Sequence, residues 1–146
     1  CSVLYLHNVC KIRMAFFFFE QKTVYVFEQR TACEMRLSLV GSRMCIRDSI
    51  KAEWTNRADE FDRSVVCMHA PPFTEQFNNN VAEPFNDYIH KLPQLMFCLD
   101  GHGHHIRIQD LYDDGTIFYM TASAKERKYY IFTITPDDYS YEIIDF

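Results

Sequence analysis

The sequence predicts an α/β chain, the C-terminal half of a two-sheet α/β sandwich that ends in an antiparallel sheet. Three observations predict it. Two short apolar runs, Ser64-Val65-Val66-Cys67-Met68 and Leu95-Met96-Phe97-Cys98-Leu99, flank a stretch of helical periodicity, the pattern of a β-α-β unit. Four further strand-like runs follow, separated by turn residues. Each apolar run of the β-α-β unit ends in histidine, His69 after the first and His102 with His104 after the second.

The elements follow in order. Residues 52–63 are polar with Trp54, Ala58 and Phe61 at helical spacings, so a short helix is expected there. Residues 64–68 read as a buried strand, stopped by Pro71-Pro72, neither of which can donate to a sheet ladder. Between residues 73 and 92 an apolar stripe runs through Phe77, Val81, Phe85, Tyr88, Ile89 and Leu92, interrupted by Asn78-Asn79-Asn80 and Pro84. This predicts a helix over 82–92, with Pro84 in its first turn, where a missing N–H does no harm, and Pro93 as its stop. The second buried strand covers 95–99. Strands are then expected at 106–112, 116–121, 129–135 and 139–144, with turns at Asp113-Asp114-Gly115 and Pro136-Asp137-Asp138, together forming one closing antiparallel sheet. Tyr112, Tyr119, Tyr129, Tyr130, Tyr139 and Tyr141 are expected as half-buried strand residues rather than a binding face.

The chemistry concentrates in Gly101-His102-Gly103-His104. In extended backbone, residues i and i+2 face the same way, about 6.6 to 6.8 Å apart, so His102 and His104 are expected to serve two metal ions. Two-metal phosphatases space those ions about 3.5 to 4 Å apart. Gly101 and Gly103, lacking Cβ atoms, are expected to let the backbone turn and pass close to the site. In an open α/β sheet ligands sit beyond the carboxyl ends of strands, which is where His69 also falls. His105 is expected to point away, and His90 to be a surface residue. A Cys67–His69 nucleophile or zinc thiolate is disfavoured, since no Cys-x-x-Cys accompanies it and Cys67 and Cys98 each lie inside an apolar run. The signatures of zinc deaminases and of His-Glu-x-x-His metalloproteases do not occur.

His69-Ala70-Pro71-Pro72, a helical stretch, an apolar strand and Gly101-His102-Gly103-His104, with a spacing of 33 residues from His69 to His102, follow the closing motifs of calcineurin-like metallophosphoesterases, which this chain resembles over residues 50–146. The resemblance implies the C-terminal part of that family's two-sheet sandwich. It implies metal-dependent hydrolysis of a phosphate ester, with His69 and His102 on one divalent transition-metal ion and His104 on a second, the metal being Mn, Fe, Zn or Co. Imidazole donors suit such metals better than Ca or Mg. The substrate stays open among phosphomonoesters, phosphodiesters and nucleotides. The family's earlier motifs, Asp-x-His, Gly-Asp and Gly-Asn-His/Asp, have no match between Cys1 and Ser49. Three imidazoles split between two ions fall short of a full set of ligands. The chain is therefore expected to be inactive or nearly so by itself. The competing reading is a non-catalytic metal-binding or protein-interaction module; an all-β adhesive module is disfavoured by the β-α-β unit.

Residues 1–49 differ in kind. They hold seven Lys/Arg against four Asp/Glu, a net +3, whereas residues 50–146 hold eight against sixteen, a net −8. Four of the six cysteines, His7 and the run Phe16 to Phe19 also fall there, and no sustained helical or strand period is evident. Residues 40–49 resemble a translated transposase-type sequencing adapter, residues 28–35 the primer that precedes such an adapter, and Glu20-Gln21-Lys22-Thr23 echoes it. Residues 1–49 are therefore read as a non-domain, artefactual segment joined to a partial phosphoesterase domain at 50–146. The net −8 of that domain argues against broad nucleic-acid binding, Lys125-Glu126-Arg127-Lys128 reads as a solvated loop, and no membrane span is legible. Compartment and oligomeric state are not legible either.

Overall fold

The computed structural model describes residues 2–6, 12–19, 22–29, 35–39, 63–92, 94–135 and 138–146. They form a mixed α/β fold with two sheets. The larger sheet has the strand order β4 (Met35–Leu39), β1 (Ser2–Leu6), β5 (Arg63–Cys67), β6 (Leu95–Asp100), β8 (Ile117–Met120) and β7 (Arg107–Asp110). The smaller has β10 (Tyr139–Asp145), β9 (Lys128–Ile134), β2 (Ile12–Phe19) and β3 (Lys22–Gln29). Among the described residues one α-helix, α1 (Ala82–Ile89), follows a short 3-10 turn at Asn79–Val81. Residues 52–62 of the expected helix, with Trp54, lie outside the described residues, as do His7 and Pro93, and Arg63, expected to end that helix, instead opens β5. None of the described helices is long and apolar enough to cross a membrane.

The β-α-β unit forms as its pattern predicts. β5 and β6 pair in parallel, Val66 opposite Cys98 and Cys67 opposite Leu99, with α1 between them in sequence. Ala82, Phe85 and Ile89 are the buried positions of α1, spaced three and four apart as one helix face requires. The helix is shorter than the stripe predicted. After Ile89 the chain tightens: Lys91 N donates to Tyr88 O at 3.1 Å and Leu92 N to Ile89 O at 3.1 Å, so Leu92 is carried by a turn.

The strands after His105 depart from expectation in their partners. A single antiparallel sheet was expected from all four; instead β7 and β8 extend the larger sheet and β9 and β10 belong to the smaller. β8 runs parallel to β6, Leu99 opposite Tyr119, while β7 pairs antiparallel with β8 at the sheet edge. The histidine loop carries the chain past the β8 position to the edge, and the turn at 111–116 brings it back. Alternation of apolar residues identifies a strand but does not choose its neighbour. Only β9 and β10 form the closing antiparallel pair, with Tyr141 opposite Phe132. The segment read as foreign to the domain supplies β1 and β4 to the larger sheet, β1 pairing antiparallel with both β4 and β5. It also supplies β2 and β3 to the smaller, β2 pairing with β9. Its Phe16–Phe19 run and its Val24-Tyr25-Val26-Phe27 run are aromatic and β-branched, which suits pleated backbone.

Alternation along β5 divides the interior in two. Val65 and Cys67 face the gap between the sheets with Phe97, Leu99 and Tyr119, meeting Tyr130, Phe132 and Ile134 of the smaller sheet. Val66 and Met68 face the other way, under Phe85, Ile89 and Leu92, with Cys98 and Phe118. Phe97 stacks on Phe132 at 4.6 Å between ring centroids and 16° between planes. Full burial of such a side chain stabilises by about 1.5 to 3 kcal/mol. β5, β6 and β8, whose ends carry the histidines and Thr121, are thus covered on both faces.

Candidate metal centre

Three parallel strands, β5, β6 and β8, end at one edge of the larger sheet, and their pairing continues past the last strand residues. Met68 N donates to Leu99 O at 2.9 Å and Gly101 N to His69 O at 3.0 Å, so the chain leaving β5 is stitched to the chain leaving β6. This brings His69 and His102 together across 33 residues of sequence. Their rings meet edge to face, 5.5 Å between centroids and 69° between planes. Burial lowers the pKa of His69 below its ordinary value, and the charges that His102 and His104 would carry lower it further. All three imidazoles therefore share one neighbourhood, and His69 is held toward the neutral form that binds metal. His69 and His104 are exposed and His102 is partly so, which leaves the site open to solvent.

The loop that carries the pair is not extended, contrary to the expectation from i, i+2 spacing. His102 has φ 64° and His104 φ 62°, both left-handed. Gly103 N bends back to Gly101 O at 2.7 Å, closing a γ-turn on His102 in its rarer, positive-φ hand. Each such non-glycine residue carries strain on the order of 1 to 3 kcal/mol, and strain of this kind gathers at functional sites. The division of labour is the reverse of the one expected: the histidines take the turning conformation, and Gly103 supplies room. A Cβ at position 103 would collide with Met120 Sδ and lie 3.2 Å from His105 Cε1. His105, rather than simply pointing away, ties the loop down, its Nδ1 lying 2.6 Å from the Gly103 carbonyl, to which it donates in the matching tautomer.

The third strand end closes the arrangement. Thr121 N donates to Asp100 O at 2.8 Å and Ser123 N to His104 O at 3.1 Å, so the segment after β8 is fastened to both ends of the histidine loop. Asp100 itself went unnoticed in the sequence, where the only signal was an acidic residue closing an apolar run. It is 1 % exposed, and its Oδ1 has no hydrogen-bond partner among the described residues. Burial pushes its carboxyl up to about 8, against the opposing pull of the Arg107 charge. A buried acid of this kind stays largely protonated near neutral pH.

The other candidates sort themselves by surroundings. His90 lies away from the site on the end of α1, where Nδ1 faces Asn86 O at 2.9 Å and Nε2 faces Thr116 Oγ1 at 3.0 Å. Burial pushes the Cys67 thiol up to about 12 and Cys98 well above its ordinary value, so neither supplies a thiolate. Among the described residues no three His, Cys, Asp or Glu side chains converge on a single ion position. Imidazole donors, such as the two in contact here, suit borderline transition metals better than Ca or Mg. Comparison of the chain with family models, with curated proteins and with solved structures finds no match in any of the three.

Proposed function

We propose that the chain carries the closing half of a two-metal phosphoesterase centre, in the C-terminal part of a calcineurin-like metallophosphoesterase sandwich spanning residues 50–146. His69 and His102 would hold one divalent ion (Mn, Fe, Zn or Co) and His104 the other. The observation that carries this reading is the 5.5 Å contact between the His69 and His102 rings at the adjoining carboxyl ends of two parallel strands. When bound, such ions supply positive charge against a phosphoryl group and acidify an attacking water. The chain's own residues supply the rest of what can be argued. His69 is biased toward the neutral form, and His102 and His104 sit on left-handed backbone in the loop that follows the buried Asp100. Three imidazoles divided between two ions leave both short of ligands, so turnover by this chain is expected to be very low.

The test is phosphate release from an aryl phosphate with added manganese. The expected result is little or no turnover, with whatever is detected lost in His102→Ala and His69→Ala. Turnover that persists unchanged in both variants, or that needs no metal, overturns the reading. A second reading, a metal-binding or interaction module without catalysis, predicts metal binding that depends on His69 and His102, with no turnover at any metal concentration.

A further inference from the structure

Ser123, whose N–H is bonded to His104 O at 3.1 Å, opens a 3-10 turn at Ala124–Glu126, in which Glu126 N returns to Ser123 O at 3.0 Å. Lys125 is therefore two residues from a direct contact with the histidine loop, its Cα within about 7 Å of that of Ser123. The sequence around it is a run of four charges, and the two cations that follow it in that run are committed. Lys128 Nζ is 3.6 Å from Asp145 Oδ1. Arg127 lies over the Phe146 ring at 5.9 Å, and its carbonyl accepts from Phe146 N at 2.9 Å. Farther off, Lys91 covers the Tyr88 ring and Arg63 bonds to Gln94 and to the Thr135 carbonyl. Lys125 is exposed and has no ion pair or hydrogen bond among the described residues. Glu126 is adjacent in sequence, but successive residues of a 3-10 turn point about 120° apart, so it need not neutralise the lysine.

Resting on the phosphoesterase reading, we propose that Lys125 is a specificity-determining residue that sets an ammonium group against the phosphoryl oxygens of a phosphomonoester dianion at the histidine loop. A dianion gains twice the Coulomb energy of a monoanionic diester from the same cation at the same distance. An ammonium on a long, uncommitted side chain beside that loop supplies the attraction without being part of the metal's ligand set.

The experiment is calorimetric titration of the full chain at low ionic strength, with and without Mn²⁺. Inorganic phosphate serves as the dianionic probe and dimethyl phosphate as the monoanionic one. Lys125→Ala is expected to weaken phosphate binding by about three- to tenfold, the loss of one charge-assisted contact. Lys125→Arg should restore it, Lys128→Ala should change it by less than about twofold as an already paired cation, and dimethyl phosphate should hardly respond. Equal effects of Lys125→Ala and Lys128→Ala, or wild-type protein that binds no phosphate, overturn the proposal. The two readings fail separately. Mn²⁺ binding that depends on His102 but phosphate binding indifferent to Lys125→Ala sinks the lysine alone. Phosphate binding that depends on Lys125 in a chain that binds no Mn²⁺ supports the lysine and sinks the metal centre.

Discussion

Gly103 is the residue on which the histidine loop turns for room rather than for flexibility. Its place is taken up by Met120, 5 % exposed, and by the His105 ring that bonds to the Gly103 carbonyl. Gly103→Ala is expected to destabilise the chain by about 1 to 3 kcal/mol, the usual cost of overpacking. Met120→Ala in the same molecule should recover part of that loss. Urea unfolding of the two single variants and the double variant measures the coupling; strictly additive losses would mean that the two side chains do not compete for the same space. At this scale the sequence was partly legible. His69, His102 and His104 stand out because their types and spacing suit metal chemistry, and of the three the structure brings the His69 and His102 rings into contact. The left-handed backbone at His102 and His104 was not legible, because it depends on where the Gly101 carbonyl and the Met120 side chain lie. Asp100 was missed because burial, not residue type, sets its character.

Between elements, α1 is fastened to the turn before β8 by a polar clasp far from the histidines. Asn86 Nδ2 donates to Asp114 Oδ2 at 2.7 Å, Thr116 N donates to Asp114 Oδ1 at 2.9 Å, and His90 Nε2 lies 3.6 Å from Asp114 Oδ2. Slight burial raises the Asp114 carboxyl, but the hydrogen bonds from Asn86 and Thr116 and the charge of His90 outweigh it and hold it below its ordinary 3.8. A carboxyl depressed in the folded state stabilises above its unfolded pKa, and that contribution disappears as pH falls through the folded value. Thermal unfolding of the wild-type chain should therefore weaken more steeply below about pH 4 than that of Asp114→Asn. Parallel curves for the two would mean that the clasp adds nothing. The β-α-β unit was readable from periodicity, since one apolar face of α1 and two continuous apolar runs admit few arrangements. The partners of β7 and β8 were not, because a strand's alternation states which side is buried and leaves open which edge it joins.

Across the whole molecule, the aromatic layer between the sheets holds the strand ends in register. Phe97 is fully buried and contacts Phe132, Tyr119 and Tyr139 at centroid distances of 4.6, 5.6 and 4.5 Å. Phe97→Ala is expected to cost about 3 to 5 kcal/mol. It should also loosen the edge where His69 and His102 meet, so proton exchange at the amides of Met68 and Gly101 should accelerate along with global unfolding. Unchanged stability would mean that the two sheets do not share a core. The two-sheet, mixed α/β character was legible from the run of elements. The participation of β1 to β4 in both sheets was not, since the charge and cysteine content of residues 1–49 pointed away from the domain while their aromatic and β-branched runs suited strands. Titration of the full chain with Mn²⁺, followed by water-proton relaxation, tests the proposed metal half-site of His69, His102 and His104. Saturable binding is expected, which His69→Ala and His102→Ala each weaken by about tenfold or more, equivalent to about 1.4 kcal/mol or more, while His90→Ala leaves it unchanged. Binding that is equally strong in all of these variants, or absent from the wild-type chain, contradicts the half-site.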